Sequence, residues 1–202
     1  NFTLRKFVLH SRTHWCLPTT HTRTIMRIVG GTLKGRRLTL PKKVPARPTT
    51  DFAKEGLFNA ISHLTEIEGA SVLDLFSGTG NISIEFLSRE ASTVEAVERN
   101  EKMIRVHKDN LRIFGLTQHI WRADTFKAIA KFQKSFDIVF ADPPYDLPKL
   151  GELPKAVLQS QVLHENSVFV LEHGIDHNFS DHPNFFQHKK YGHVHFSFCR
   201  LN

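Results

Sequence analysis

Phe136-Asp137-Ile138-Val139-Phe140-Ala141-Asp142-Pro143-Pro144-Tyr145 is the stretch on which the reading of this chain turns. An apolar run of strand type stops at an acid, two prolines and a tyrosine. Proline lacks a ladder N–H and pushes the residue before it out of the helical region. Asp142 is therefore expected in a rigid extended turn at the C-terminal end of a buried strand, with Tyr145 just beyond. In open α/β sheets, ligands bind at that edge.

Upstream, Ser71 to Phe76 reads as another buried strand, broken by Ser77-Gly78-Thr79-Gly80 and followed by a helix from about Asn81 to Ser88. Glycines let the backbone approach a ligand, and a helix N-terminus offers amides to an anion. Thr93 to Val97 is the next strand and ends at Glu98, 18 residues past Gly80, where a ribose-binding acid is expected. A long amphipathic helix follows, with Met103, Leu111 and Phe114 on one face and His107 at the core edge. A short strand around Ile120 to Arg122 leads to Asp124, and a helix from about Phe126 to Phe132 returns to the Phe136 strand. Beyond Tyr145, Leu150 to Val162 reads as mostly helical despite Pro154, and Ser167 to Leu171 as the fifth strand. Phe185 to Lys190 and His193 to Cys199 form a closing hairpin turning at Tyr191-Gly192. His193 and His195 are expected to share a strand face rather than to bind metal. The fold class is α/β, Rossmann-like, with a central, mostly parallel seven-stranded sheet and a small N-terminal β-hairpin extension.

An exocyclic amine on a base is a poor nucleophile, because its lone pair is delocalised into the ring. A fixed carboxylate oxygen and a fixed backbone carbonyl can accept its two N–H bonds and localise that lone pair. In the turn, Asp142 suits the first role and Pro143 the second, with Pro144 stiffening the loop and Tyr145 offering a stacking face. A dinucleotide dehydrogenase would want Gly-x-Gly-x-x-Gly, but Ser83 stands at the third position, and Asp142 to Tyr145 would be left without a purpose. A methyltransferase using S-adenosylmethionine shares the topology with a looser glycine loop. Glu98 then falls where the ribose hydroxyls are held, Asp124 where the adenine amine is met, and Ser77, Gly78, Thr79 and Gly80 along the aminoacyl end.

The 202 residues suit one domain with a small appendage. The first 50 hold 11 Lys and Arg and no acid, leaving 16 of the 27 basic residues against all 20 acids in the rest. A basic arm on a mildly acidic body is the footprint of a phosphate-binding extension. No apolar run approaches the roughly 20 residues of a membrane helix. Cys16 and Cys199 show no framework or metal spacing. Residues 1–25 lack a hydrophobic period and loosely match a transit peptide. They are expected to be an extension ahead of a natural start at Met26, and the spacing of His10, His14, Cys16 and His21 fits no standard metal site. Residues 26–48 are expected as a basic β-hairpin (Arg27 to Leu40) and proline linker carrying Lys34, Arg36, Arg37 and Arg47. Residues 49–202 form the main domain, opening on a helix capped by Thr50.

Taken together, Met26-Arg27-Ile28-Val29-Gly30-Gly31, Arg47-Pro48-Thr49-Thr50-Asp51, Glu55-Gly56-Leu57-Phe58-Asn59, Asp74-Leu75-Phe76-Ser77-Gly78-Thr79-Gly80 and Asp142-Pro143-Pro144-Tyr145, in this order, resemble the RsmD-type 16S rRNA (guanine-966-N2)-methyltransferases. The resemblance spans about Met26 to Cys199. It implies a class I methyltransferase fold and S-adenosylmethionine as donor, with S-adenosylhomocysteine as product. It also implies a guanine N2 of 16S rRNA in the assembling or assembled small subunit as acceptor. Asp74 joins the cofactor residues, and Lys34, Arg36, Arg37 and Arg47 engage RNA. A monomer in the bacterial cytoplasm, without metal, is expected. Ser77-Gly78-Thr79 departs mildly from the family's usual Ala-Gly-Ser, and Gly56 sits in a predicted helix where a better helix former is usual. Adenine-N6 methylation of DNA, methylation of a protein glutamine, and a non-catalytic RNA-binding assembly factor are the alternatives.

Overall fold

The computed structural model describes residues 26–40 and 50–201. The N-terminal 25 residues, with the His10, His14, Cys16 and His21 set, and the linker bearing Arg47 lie outside the described residues. Buried runs such as Ile138–Ala141 and Val168–Leu171 build the central strands, as parallel strands covered on both faces require. The strands are β1 (Ser71–Asp74), β2 (Thr93–Glu98), β3 (His119–Arg122), β4 (Phe136–Ala141), β5 (Leu163–His173), β6 (Phe185–Tyr191) and β7 (Val194–Cys199). They form one sheet of order β3-β2-β1-β4-β5-β7-β6. The first five are parallel, and β7 runs antiparallel to both β5 and β6. The chain's direction of progress reverses between β1 and β4, so the crevice at their carboxyl ends is the switch point.

Helices α1 (Asp51–Ser62) and α2 (Asn81–Ser88) cover one face of the sheet. Their Leu57, Phe58, Ile61 and Phe86 pack on Val72, Ile138, Phe140, Val170 and Phe198. Helices α4 (Thr125–Ile129) and α5 (Leu153–Leu158) cover the other, against Leu73, Val139, Phe169 and Leu171. The alternation follows from the two-residue period of a strand. Between β2 and β3, α3 (Glu101–Phe114) packs Leu111 against Ile84 of α2 and against Met26, Ile28 and Leu38. Thr50 caps α1 as expected, its hydroxyl accepting from Ala53 N–H.

Three expectations need adjustment. The Arg27 to Leu40 hairpin is shorter than two regular strands: it closes through one antiparallel bridge, Arg27 to Arg37, with Ile28 and Leu38 N–H donating to the Arg36 and Met26 carbonyls and Gly35 N–H to the Ile28 carbonyl. Other amides of the arm go to α2: the Glu85 carboxylate accepts from Val29 and Gly30 N–H, and Ser88 from Thr32 and Leu33. The segment after Tyr145 is a 3₁₀ turn (Leu150–Glu152) and a short α5, not one helix to Val162. Pro154 lies in the first turn of α5, where its missing N–H is no loss. β5 consequently begins at Leu163, where pairing with β4 starts before a register shift. Finally, β7 begins at Val194, so His193 lies in the turn and does not share a strand face with His195. Gly56 also finds its reason. A Cβ there would lie 2.1 Å from the Tyr191 ring, so only glycine lets β6 approach α1.

Candidate active site

A cavity of about 620 Å³ opens at the switch point, within the usual range for small-molecule sites. It is lined by Asp74, Ser77, Gly78, Thr79, Glu98, Asp124 and the whole Asp142-Pro143-Pro144-Tyr145 turn. The fold thus brings together every expected cofactor and catalytic residue except Gly80. Gly80 shapes the site from behind: it N-caps α2 at φ 85°, and a Cβ there would lie 2.2 Å from the His107 ring. His107 is fully buried rather than at the core edge. Its Nε2 lies 3.0 Å from Gln118 Oε1 and its Nδ1 3.4 Å from Ser77 Oγ, and burial pushes its pKa down to about 4. The neutral ring props the glycine turn.

Asp74 ends β1 beneath that turn. Its Oδ2 accepts from the Ser83 hydroxyl at 2.6 Å, which explains the serine where a dehydrogenase would have glycine. Its buried Oδ1 has no hydrogen-bond partner among the described residues. Burial raises the Asp74 pKa to about 7, against the pull of the Ser83 hydroxyl. An unpaired buried carboxylate oxygen on a cavity wall costs free energy unless a ligand donor meets it, and an ammonium group fits that demand. Glu98 ends β2 with Oε2 accepting from Gly78 N–H (2.9 Å) and Oε1 from Asn100 N–H (2.6 Å). It ties the glycine turn to the start of α3. Asp124 caps α4 through Lys127 N–H. These donors and acceptors fit an amino acid–nucleoside conjugate laid across the crevice.

Asp142 is half-buried on the cavity wall. Desolvation raises its pKa well above the usual carboxylate range, and the neighbouring Glu172 and Asp74 carboxylates add to the rise. Tyr145 stands at the mouth, 44% exposed, with its hydroxyl donating to Glu172 Oε1 at 3.2 Å. Glu172 is a residue that the sequence reading missed. Its signal was an acid closing an otherwise apolar run, Val168 to Leu171, at the same sheet edge as Asp142. Met26 and Leu40 of the arm also line the cavity, as does Asn81, whose side chain accepts from the buried Lys54 ammonium at 2.9 Å. Lys34, Arg36 and Arg37 are exposed on the arm, with the Arg36 guanidinium 5.0 Å above the Phe114 ring.

A family model described as conserved hypothetical protein 95 matches residues 26–200. A Bacillus subtilis (strain 168) protein with a provisional rRNA methyltransferase name, YlbH, is 39% identical over 153 residues, covering 73% of this chain and 82% of its own length. The chain belongs to the RsmD family. Ribosomal RNA small subunit methyltransferase D of Buchnera aphidicola subsp. Baizongia pistaciae (strain Bp) is 33% identical, covering 74% of this chain and 76% of its own. A solved Escherichia coli structure, provisionally named methyltransferase yhhF, superposes with a TM-score of 0.76 at 26% identity, over 88% of this chain and 98% of that one. The RsmD-family fold and the strand order therefore agree: this is the class I methyltransferase architecture. Among the described residues no helix is long and apolar enough to cross a membrane.

Proposed function

We propose that this chain transfers a methyl group from S-adenosylmethionine to the N2 amine of a guanine in small-subunit rRNA, guanine 966 of the 16S molecule. One observation carries the reading: the Asp142-Pro143-Pro144-Tyr145 turn and the acids Asp74, Glu98 and Asp124 share one cavity. Asp74 would hold the cofactor's ammonium, Glu98 its ribose hydroxyls and Asp124 its adenine amine, with Ser77 to Thr79 along the aminoacyl end. When bound, the cofactor supplies a methyl group on a positively charged sulfur.

The target base leaves its stack to enter the pocket, as enzymes acting on a base require. The Tyr145 ring stacks on it, and the Tyr145–Glu172 bond holds that ring at the mouth. Asp142 and the Pro143 carbonyl accept the two N2–H bonds, localising the nitrogen lone pair and aiming it. So presented, that lone pair would form the new C–N bond with the methyl group that the bound cofactor supplies, the C–S electron pair staying with sulfur. The alkylated nitrogen is then acidic, and its proton passes to Asp142. A carboxylate whose pKa is raised by burial and by neighbouring acids accepts that proton more readily.

The test is methyl transfer from labelled S-adenosylmethionine to unmodified small ribosomal subunits, naked rRNA and duplex DNA, with modified nucleosides identified by mass spectrometry. N2-methylguanosine from the rRNA samples is the expected product. N6-methyladenine from DNA, or no product with cofactor still bound, would overturn the reading. Asp142→Ala should lower turnover by ~10²-fold or more while leaving the cofactor dissociation constant nearly unchanged. Near-normal turnover in that variant would remove Asp142 from the mechanism.

A further inference from the structure

The sheet topology places a second feature at the edge where Asp142 lies. β4 and β5 run parallel, β7 returns antiparallel to β5, and β6 antiparallel to β7. The β6–β7 turn at Tyr191 to Val194 therefore projects from the same edge as the Asp142 turn. The register agrees: His173, the last residue of β5, pairs with His195, and Tyr191 with Val194. Helix α1 begins at this edge as well. Its far end meets the opposite edge, where Arg200, just past β7, donates to the Leu64 carbonyl.

Phe52, in the first turn of α1, is 68% exposed, the highest among the large hydrophobic side chains of the described residues. Its ring meets Tyr191 edge to face, with centroids 5.6 Å apart at 83°. Tyr191 is in turn wedged against Gly56 and lies 6.1 Å from Phe196. Phe52 is thus backed by a fixed aromatic yet offered to solvent. A single exposed Phe needs no explanation. Here, however, Phe52, Tyr145 and Ile175 are three of the six exposed large hydrophobics among the described residues and gather at one sheet edge. Basic side chains stand at the same edge: His193 is exposed in the β6–β7 turn, Lys190 is exposed at the end of β6 on the sheet face opposite Tyr191, where it pairs with His195, and Arg27 pairs with Asp51, next to Phe52. Three strand spacings separate the Asp142 turn from Tyr191, roughly 15 Å, a span that a splayed single strand can bridge.

We propose that Phe52, backed by Tyr191, with His193 and Lys190 at the turn that rounds the same sheet edge, is a stacking and phosphate-contact surface for the single-stranded RNA next to the flipped target nucleotide. The inference rests on the rRNA-methylating reading above. A base can leave its stack only if its neighbours are held apart, and single-stranded RNA is held by aromatic faces with cations along the backbone. An aromatic face beside cations selects nucleic acid over an apolar protein segment, which would want a groove without charge.

The test compares Phe52→Ala, Phe52→Leu, Phe52→Trp and Lys190→Ala with the unaltered full chain on unmodified small subunits and on the naked rRNA. The unaltered chain is assayed first, and its failure to methylate RNA would count against the function reading, not against this surface alone. Given activity, Phe52→Ala should raise KM for RNA roughly 5- to 100-fold, chiefly in KM rather than kcat. Phe52→Trp should restore it and Phe52→Leu should not. Lys190→Ala should weaken RNA binding and lower its salt dependence. Melting temperature and cofactor affinity should stay put in all four. Unchanged KM in Phe52→Ala, equal rescue by Leu, or a self-association lost on Phe52→Ala would overturn the proposal.

Discussion

Asp74 shows how one residue can carry two opposite tasks. It ends a strand at the floor of the cavity, so burial disfavours its charge and raises its pKa to about 7. A cationic partner in the cavity would restore that charge. If the cofactor's ammonium binds there, only the ionised carboxylate receives it, and affinity must rise with pH up to about 7 and then level off. Calorimetry should find binding several-fold tighter at pH 7.5 than at pH 6, and Asp74→Asn should bind weakly with a flat profile. A wild-type profile as flat as the variant's would remove Asp74 from the ammonium site. The same shift has a stability consequence of the other sign. With its folded pKa above the unfolded value near 3.8, Asp74 favours the folded state less and less as pH rises from about 4 to 7. His107 opposes it: its folded pKa of about 4 lies below the unfolded 6.5, so its share of stability is lost as pH falls from about 6.5 to 4.

Among elements, the N-terminal arm matters more than its length suggests. It contributes Met26 and Leu40 to the cavity yet forms no strand. What holds it is a charge pair buried between helices. Lys54 of α1, with no exposed surface, donates to the Arg27 carbonyl (2.5 Å), Asn81 Oδ1 (2.9 Å) and Glu85 Oε2 (3.1 Å). Glu85 in turn accepts the Val29 and Gly30 amides and meets Arg89. The Lys54 ammonium and both Glu85 oxygens have partners here, which is what makes such a pair tolerable. Removing one partner leaves the other buried. Lys54→Met should therefore cost about 3 kcal/mol and lower the melting temperature by roughly 6–12 °C. Because Lys54 also holds Asn81 and the arm, the variant should bind cofactor less tightly even well below its melting point. Unaltered thermal stability would show that the pair merely breaks even with an apolar side chain.

For the whole molecule, charge and shape divide the work. The acidic body carries the buried carboxylates of the site, and the basic residues are concentrated in the first quarter of the chain. RNA binding should therefore depend on salt mainly through the arm. Neutralising Lys34, Arg36 and Arg37 together should flatten the plot of log affinity against log salt by about 2–3 units of slope, at 0.7–0.9 per phosphate contact. An unchanged slope would move RNA binding elsewhere, the β6–β7 tip being the next place to look. Arg36, laid over Phe114, should contribute least of the three.

By itself the sequence determined the order of elements, the doubly wound sheet and the edge at which its chemistry-bearing residues gather. Those features are local: Pro143 and Pro144 must end a strand, Gly78 and Gly80 must turn, and Thr50 must cap. The acids Glu98, Asp124 and Asp142 follow from strand ends alone, because parallel topology brings every strand's carboxyl end to one side. Only tertiary structure decided the rest. Glu172 became part of the site because β5 lies beside β4, and Gly56 is glycine because Tyr191, 135 positions away, occupies the space its side chain would need. Lys54 sits in a helix like any surface lysine, and nothing within its own segment marks it for burial. Its partner Glu85 lies 31 residues on. The arm looked like a hairpin because glycines and flanking β-branched residues suit one. It does fold back on itself through the Ile28, Gly35 and Leu38 amides, but those of Val29, Gly30, Thr32 and Leu33 go to α2, where a buried carboxylate and the end of a helix supply the acceptors.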